Sequence, residues 1–256
     1  MKRLHMLLIL LSASLSQANA QNNNYEFPNR YWKLGIASLG SKLDNGLSPK
    51  DNVFDGRLGA NSGFVLESGH IYYFGSRDKN LNYGLDWTIV SLTYNKLGKW
   101  DAYATAAGQS PSETIDGKKI AVSAATKIGP IVSFNPIEKL IIDAHFQVAP
   151  TWRLFDLDYL ENSGSEEAGR GFSFKNYGQQ NTDENFDTES AKNRIAFGLA
   201  TNFGITVRRG VIGLSLDYVT GKSNISYDAF DGNGNETFGK NKIPVKSLQL
   251  KLALSF

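Results

Sequence analysis

The ten residues SLQLKLALSF, 247–256, alternate without a break. Leu248, Leu250, Leu252, Leu254 and Phe256 take every second place, and Gln249, Lys251, Ala253 and Ser255 fill the gaps. A period of two marks a β-strand, because successive side chains point to opposite faces. One face of this strand is wholly apolar; the other carries a lysine, a glutamine and small residues. A slip of one residue would exchange the faces, so the pattern sets register as well as facing. Alternation alone does not say which face is wet. A soluble, lipocalin-like barrel would turn the leucines inward around a small apolar ligand, whereas a membrane barrel would turn them outward to lipid.

The same period recurs upstream, and helical periodicity is nearly absent. Seven further strands are expected, at 31–39, 62–75, 83–94, through TKIGPIVSFN (126–135), and at 139–150, 193–207 and 211–220. On the first, Trp32, Leu34 and Ile36 oppose Lys33, Gly35 and Ala37. On the sixth, Ile195, Phe197, Leu199, Phe203 and Ile205 oppose Arg194, Ala196, Gly198, Ala200 and Asn202. Three places break the rule. Pro130 falls inside the fourth strand, where it lacks an N–H for the ladder, so a bulge or a later strand start is expected there. Ser68 and His70 land on the apolar face of the second strand, which a bulge near Gly69 would correct. Beyond Ile89 the third strand loses its alternation.

The intervening segments are 40–61, 76–82, 95–125, 135–138, 151–192, 208–210 and 221–244. Long and short alternate throughout. A sandwich has no reason to sort its loops in this way; a transmembrane barrel does, with short turns on the periplasmic side and long loops outside. Aromatics gather at the short-turn ends, where Tyr31, Trp32, Tyr72, Tyr73, Phe74, Tyr83, Phe134 and Phe256 are placed to form an interfacial girdle. Arg208–Arg209–Gly210 reads as a tight turn with glycine supplying positive φ.

Residues 1–20 have the build of a secretory signal peptide: Lys2 and Arg3, the short apolar run LLILL, and ANA before Gln21, with cleavage near Ala20. The barrel domain is then 21–256. The chain holds no cysteine, which excludes disulfides, thiol chemistry and a lipid-modified N-terminal cysteine. Without Lys2 and Arg3 the 27 basic residues fall to 25, against 25 acidic ones. Such a balance has no general bias toward nucleic acid. After residue 20 no run approaches about 18 consecutive apolar residues, so no transmembrane helix is expected, and a membrane fold would have to be a closed barrel.

With its signal segment, alternating strands, sorted loops and terminal aromatic, the chain resembles the small outer-membrane β-barrel proteins of Gram-negative bacteria, the eight-stranded OmpA- and OmpX-like class. The resemblance implies a single antiparallel barrel of eight strands, or ten if 151–192 hides a hairpin around GFSFKNYG. It implies that Leu250, Leu252, Leu254 and Phe256 are an insertion signal read by the barrel-assembly machinery. Periplasmic chaperones during biogenesis, and outer-membrane lipids and lipopolysaccharide afterwards, are the partners it implies. No peptidoglycan-binding domain is expected after the last strand.

In this register the inward charges are Lys33, Lys127, Arg194 and Lys251 against Glu67, Asp86, Asp143 and Asp217. The interior of an eight-stranded barrel is just wide enough for its own side chains, so four cations and four anions are expected to pair and plug it. The function expected is non-enzymatic: envelope structure, or surface binding through the loops. A narrow solute channel and a lipid A-modifying enzyme are the alternatives. For the enzyme the candidates are His145 with Asp143, two apart on one strand and thus on one face, and His70. No nucleophile stands at a matching motif, and a place in the lumen network accounts for the pair. No cofactor and no metal are expected: DGNGNE, 231–236, begins like a calcium loop, but Glu236 stands where that loop needs glycine and Lys242 where it needs glutamate. Segment 151–192 carries nine acidic residues against four basic ones, and WRLFDLDYL at its start suggests a strand running on past the membrane.

Overall fold

A computed structural model describes residues 27–74, 80–137, 139–161, 169–174, 186–191, 193–230 and 236–256. The segment read as a signal peptide, and residues 231–235 of the calcium-like stretch, lie outside these. The strands are β1 (Arg30–Ala37), β2 (Gly63–Tyr73), β3 (Leu81–Lys96), β4 (Ile115–Ile137), β5 (Leu140–Leu160), β6 (Gly169–Ser173), β7 (Phe186–Ala191), β8 (Ile195–Arg209), β9 (Ile212–Phe230) and β10 (Glu236–Ser255). Three short helices, α1 (Pro49–Phe54), α2 (Lys99–Ala106) and α3 (Pro111–Thr114), lie in the connections at one end. No helix among the described residues is long and apolar enough to cross a membrane.

Eight of the strands close a ring. Antiparallel neighbours run β1–β2–β3–β4–β5–β8–β9–β10, and β10 returns to β1 through Trp32↔Leu254, Leu34↔Leu252 and Ile36↔Leu250. The start of the first strand and the end of the last lock the seam: Arg30 N–H donates to Phe256 O at 3.0 Å and Phe256 N–H to Arg30 O at 2.9 Å. The fold is an all-β antiparallel barrel. A closed ladder leaves no edge with unpaired backbone groups.

Facing follows the alternation. Leu34, Ile36, Leu92, Val132, Leu199, Ile205, Leu214 and Leu252 are exposed on the outside, while Lys33, Glu67, Lys127, Ser215 and Lys251 are buried in the lumen. Inward glycines let strands come close: a Cβ at Gly129 would collide with the Phe146 backbone. At the short-turn end Gly210 has φ +61° and its N–H donates to Lys139 O at 2.9 Å, tying two turns together.

The irregularities match the expected ones only in part. Pro130 makes no bulge. It faces outward opposite Leu85, and the β4–β5 ladder passes from Ile128↔Val148 to Ile131↔His145 in unchanged register. The proline therefore forgoes pairing locally without shifting the strand. β2 alternates evenly through Gly69, so Ser68 and His70 do face outward, and His70 rests on Tyr72 with ring centroids 4.3 Å apart. The extra residue is in β3: Ser68 pairs Val90 and Gly69 pairs Thr88, leaving Ile89 over. Ile89 and Val90 both point outward, and this bulge is why alternation failed there.

The strands also outrun their expected ends. β9 and β10 stay paired out to Phe230↔Glu236, so most of the expected loop 221–244 is hairpin wall. β5 runs to Leu160, beyond the expected end at Pro150. Above the end of β8, β6 pairs antiparallel to β5, β7 parallel to β6, and β7 meets β9 at Ser190↔Asp228. The first three residues of GFSFKNYG thus end a strand, Gly169–Ser173, but β6 and β7 form a parallel pair that patches the wall rather than a hairpin added to the ring.

The core proper lies at this long-loop end. Leu39, Val53 and Leu58 from the β1–β2 connection and Leu97, Trp100 and Tyr103 around α2 pack on inward-facing Phe155, Leu157, Ile225, Ile243 and Val245. Trp100 contacts Tyr103 and Tyr159 at centroid distances of 5.4 and 5.3 Å, and its Nε1 donates to Leu58 O at 3.1 Å. Asn52, on α1, is fully buried; its Nδ2 donates to Asp44 O at 2.9 Å and its Oδ1 accepts from Asp44 N–H at 2.8 Å, folding the connection back. The long connections thus form a packed cap over the mouth of the barrel.

Candidate functional site

Below the cap the lumen is polar and arranged in tiers. In the upper tier, Glu67 (β2) receives Lys127 (β4) at 2.5 Å and Lys251 (β10) at 2.6 Å, and Lys251 also pairs with Asp217 (β9). Ser91 Oγ donates to Glu67 Oε1 at 3.0 Å. All four charged groups are 2% exposed or less. Removing such charges from water is costly unless each meets its opposite, and here two lysines meet two carboxylates.

The middle tier holds His145, Asn202, Gln147, Asp86 and Tyr31. His145 Nε2 lies 3.5 Å from Asp217 Oδ1 and 3.3 Å from Asn202 Nδ2. Asn202 Nδ2 donates to Gln147 Oε1 at 2.8 Å. Tyr31 OH donates to Asp86 Oδ1 at 2.7 Å, and Lys33 Nζ lies 4.7 Å over the Tyr31 ring. Tyr31 therefore belongs to the lumen and not to an exterior girdle, a correction that applies also to half-buried Tyr73. Of the aromatics expected in the girdle, Trp32, Tyr72, Phe74, Tyr83 and Phe134 are exposed on the outside.

The lowest tier seals the short-turn end. Arg208 Nε lies 3.0 Å from Asp143 Oδ2, and Arg208 Nη2 donates to Tyr73 OH at 3.0 Å and to Asp143 Oδ1 at 3.2 Å. Arg208 Nη1 donates to Pro28 O at 3.3 Å, so the segment before β1 packs beneath.

Seven of the eight charges read as a lumen set lie there: Lys33, Glu67, Asp86, Lys127, Asp143, Asp217 and Lys251. Arg194 does not. It sits one residue before β8 begins, so strand alternation does not govern it, and its Nη1 lies 3.4 Å from Asp156 Oδ1 at the cap rim. Two inward cations were missed. Arg208 is in phase with the inward face of β8, and Arg153 with Asp143, His145 and Gln147 on β5; extending either alternation would have found them. His145 and Asp143 share the lumen but face different partners, Asp217 and Arg208. His70 is on the outer wall. Among the described residues no group of three His, Asp or Glu side chains is arranged to hold a metal. Of the acidic set in 151–192, Asp156 and Asp158 are buried against the cap and Ser173 Oγ donates to Asp158; Glu166, Glu167, Asp183 and Glu184 lie outside the described residues.

No protein-family model matches the chain, and no curated protein matches it in sequence. Among solved structures it is similar to Ail, the attachment invasion locus protein of Yersinia pestis, at 12% identity over 90% of this chain and 100% of that one, TM-score 0.39. It is similar to the outer membrane protein OprG from Pseudomonas aeruginosa at 10% identity over 90% and 96%, TM-score 0.35. A major outer membrane protein from Thermus thermophilus matches at 9% identity over 90% and 100%, TM-score 0.40. At these scores the likeness carries no role across to this chain.

Proposed function

We propose that the chain is a non-enzymatic β-barrel of the Gram-negative outer membrane, exported behind a signal peptide cleaved near Ala20. Its ion-paired, plugged wall serves the envelope and holds a folded cap on the outer side for surface binding. The observation that carries this reading is the inverted distribution of side chains. Leu214 is 59% and Leu252 43% exposed, whereas Lys251 and Glu67 are 0% and 1% exposed. In water such a belt would be an aggregation surface; in lipid it is required. Tyr83 and Tyr94 mark its edges on β3. Eleven residues at about 3.4 Å each, tilted about 40°, separate them by roughly 28 Å, close to the ~25 Å apolar band of membrane barrels.

The plugged reading is supported by the tiers that cross the lumen and by the apolar cap above them. The non-enzymatic reading is supported by the separation of His145 from Asp143 and by the place of His70 on the outer wall. Lipid and lipopolysaccharide would then surround the belt. The barrel-assembly machinery would recognise Leu250, Leu252, Leu254 and Phe256 on β10, after periplasmic chaperones deliver the chain.

The test is electrophoresis of an outer-membrane fraction with and without boiling. A detergent-resistant band that runs faster unboiled is expected. Recovery in the soluble periplasmic fraction with no such shift would refute the membrane reading. Conductance steps in planar bilayers would refute the plug, and a lipid A profile altered by replacing both His70 and His145 would refute the absence of chemistry.

A further inference from the structure

Arg153 is a buried cation without an anion among the described residues. It points inward from β5 and is 7% exposed. Its cross-strand neighbours are Ser123 on β4 and Ala196 on β8, neither able to neutralise it. Among the described residues its Nε has no hydrogen-bond partner, and no carboxylate pairs with it. Lys127, Lys251 and Arg208 each touch one.

Arg153 borders a cavity of about 30 Å³ between the upper ion-paired tier and the cap. Its lining includes a second cation, Lys127, and no carboxylate. The charge of Lys127 is already matched by Glu67, so the wall as a whole carries a net positive charge from Arg153. Ser247 Oγ, also in the lining, is buried with no partner among the described residues and can donate. An uncompensated guanidinium held away from water is costly, and donors without acceptors add to that cost.

We propose that this cavity is a binding site for a small inorganic anion of halide size, held by Arg153 with Ser247 as a further donor. A water needs only about 10–15 Å³ of occupied space, so the cavity has room for chloride or bromide with water beside it. Asn95 Oδ1, an acceptor without a partner in the same lining, gives the water its place. The inference does not depend on where the barrel is embedded.

Bromide is the probe. Crystals of the unaltered protein soaked in sodium bromide are expected to show an anomalous peak in the cavity beside the Arg153 guanidinium. In detergent solution, chloride titrated against gluconate, which is too large to enter, is expected to give saturable excess broadening of the chloride NMR line. That broadening is lost in Arg153→Leu and retained at weaker affinity in Arg153→Lys. A bromide-soaked crystal of the unaltered protein with no peak, or a protein with no saturable broadening, overturns the proposal and leaves the cavity to water. Both decisive readings use the unaltered chain, so a variant that fails to fold does not shelter the idea.

Discussion

Lys251, five residues from the C-terminal Phe256, lies 2.6 Å from Glu67, and the bond spans β1 to join β10 to β2. With Asp217 on β9 and Lys127 on β4, it ties together strands from both ends of the chain. Removing Lys251 would leave Glu67 with one cation and Asp217 with none in its tier. Breaking a buried pair from one side costs about 3–5 kcal/mol, because a buried charge is stranded. Lys251→Met is therefore expected to lower the urea midpoint of the detergent-folded barrel by that order. Lys251→Met combined with Asp217→Asn is expected to cost less than Lys251→Met alone. A double-variant loss equal to the sum of the Lys251→Met and Asp217→Asn losses, read from the gel-shifted folded band across a urea series, would show that the two groups are not coupled.

Two arginines make a matched comparison. Arg208 is buried against Asp143, whereas the Arg194 side chain at the rim is 35% exposed beside Asp156. Exposed pairs contribute about 0–1 kcal/mol, and stranding a buried partner costs about 3–5. Arg194→Ala is expected to leave the unfolding midpoint nearly unchanged, and Arg208→Ala to lower it clearly. The reverse order would mean that the rim pair, and not the lowest tier, holds the wall.

How much of this was legible in the sequence depended on where alternation runs unbroken. SLQLKLALSF set β10 and which of its residues share a face, and the sorted loops then turned the leucines outward and Lys251 into the lumen. Arg208 was hidden by a plausible turn at RRG, and Arg153 by ending β5 too soon at Pro150. Tyr31 and Tyr73 were misread because an aromatic at a strand end suits either a girdle or a lumen floor, and only the phase decides. The cap left no periodic trace: Trp100, Leu58 and Phe155 meet through tertiary folding of three separate connections. One local signal was available, Ser48–Pro49 followed by Asp51, where Ser48 Oγ accepts from Asp51 N–H at 3.1 Å to cap α1.

Cap and wall should separate experimentally. Trp100 is 1% exposed at the centre of the cap, and Phe/Trp→Ala changes in cores cost about 3–5 kcal/mol. None of its ring partners lies in the ion-paired tiers. Trp100→Ala is expected to make the connections 38–62 and 97–114 sensitive to protease on whole cells while the boiling-dependent gel shift stays. Loss of the folded band together with the cap would show that the wall needs the cap to form.

The last prediction concerns facing on β10. Leu252 points outward at 43% exposure, opposite Leu34 on β1 and Leu214 on β9. Ala253 beside it is fully buried. Arginine on the lipid face at mid-bilayer costs about 2–4 kcal/mol. It also breaks the run from Leu250 to Phe256 that an assembly machinery would read. Leu252→Arg is expected to abolish the gel-shifted band in the outer-membrane fraction, while Leu252→Ile leaves it intact. If Leu252→Arg assembled normally in cells, the outer face of β10 would not be facing lipid, and the leucines would need another apolar partner. A lipocalin-like interior could not supply one, because that interior is already filled by Lys251, Glu67 and Asp217.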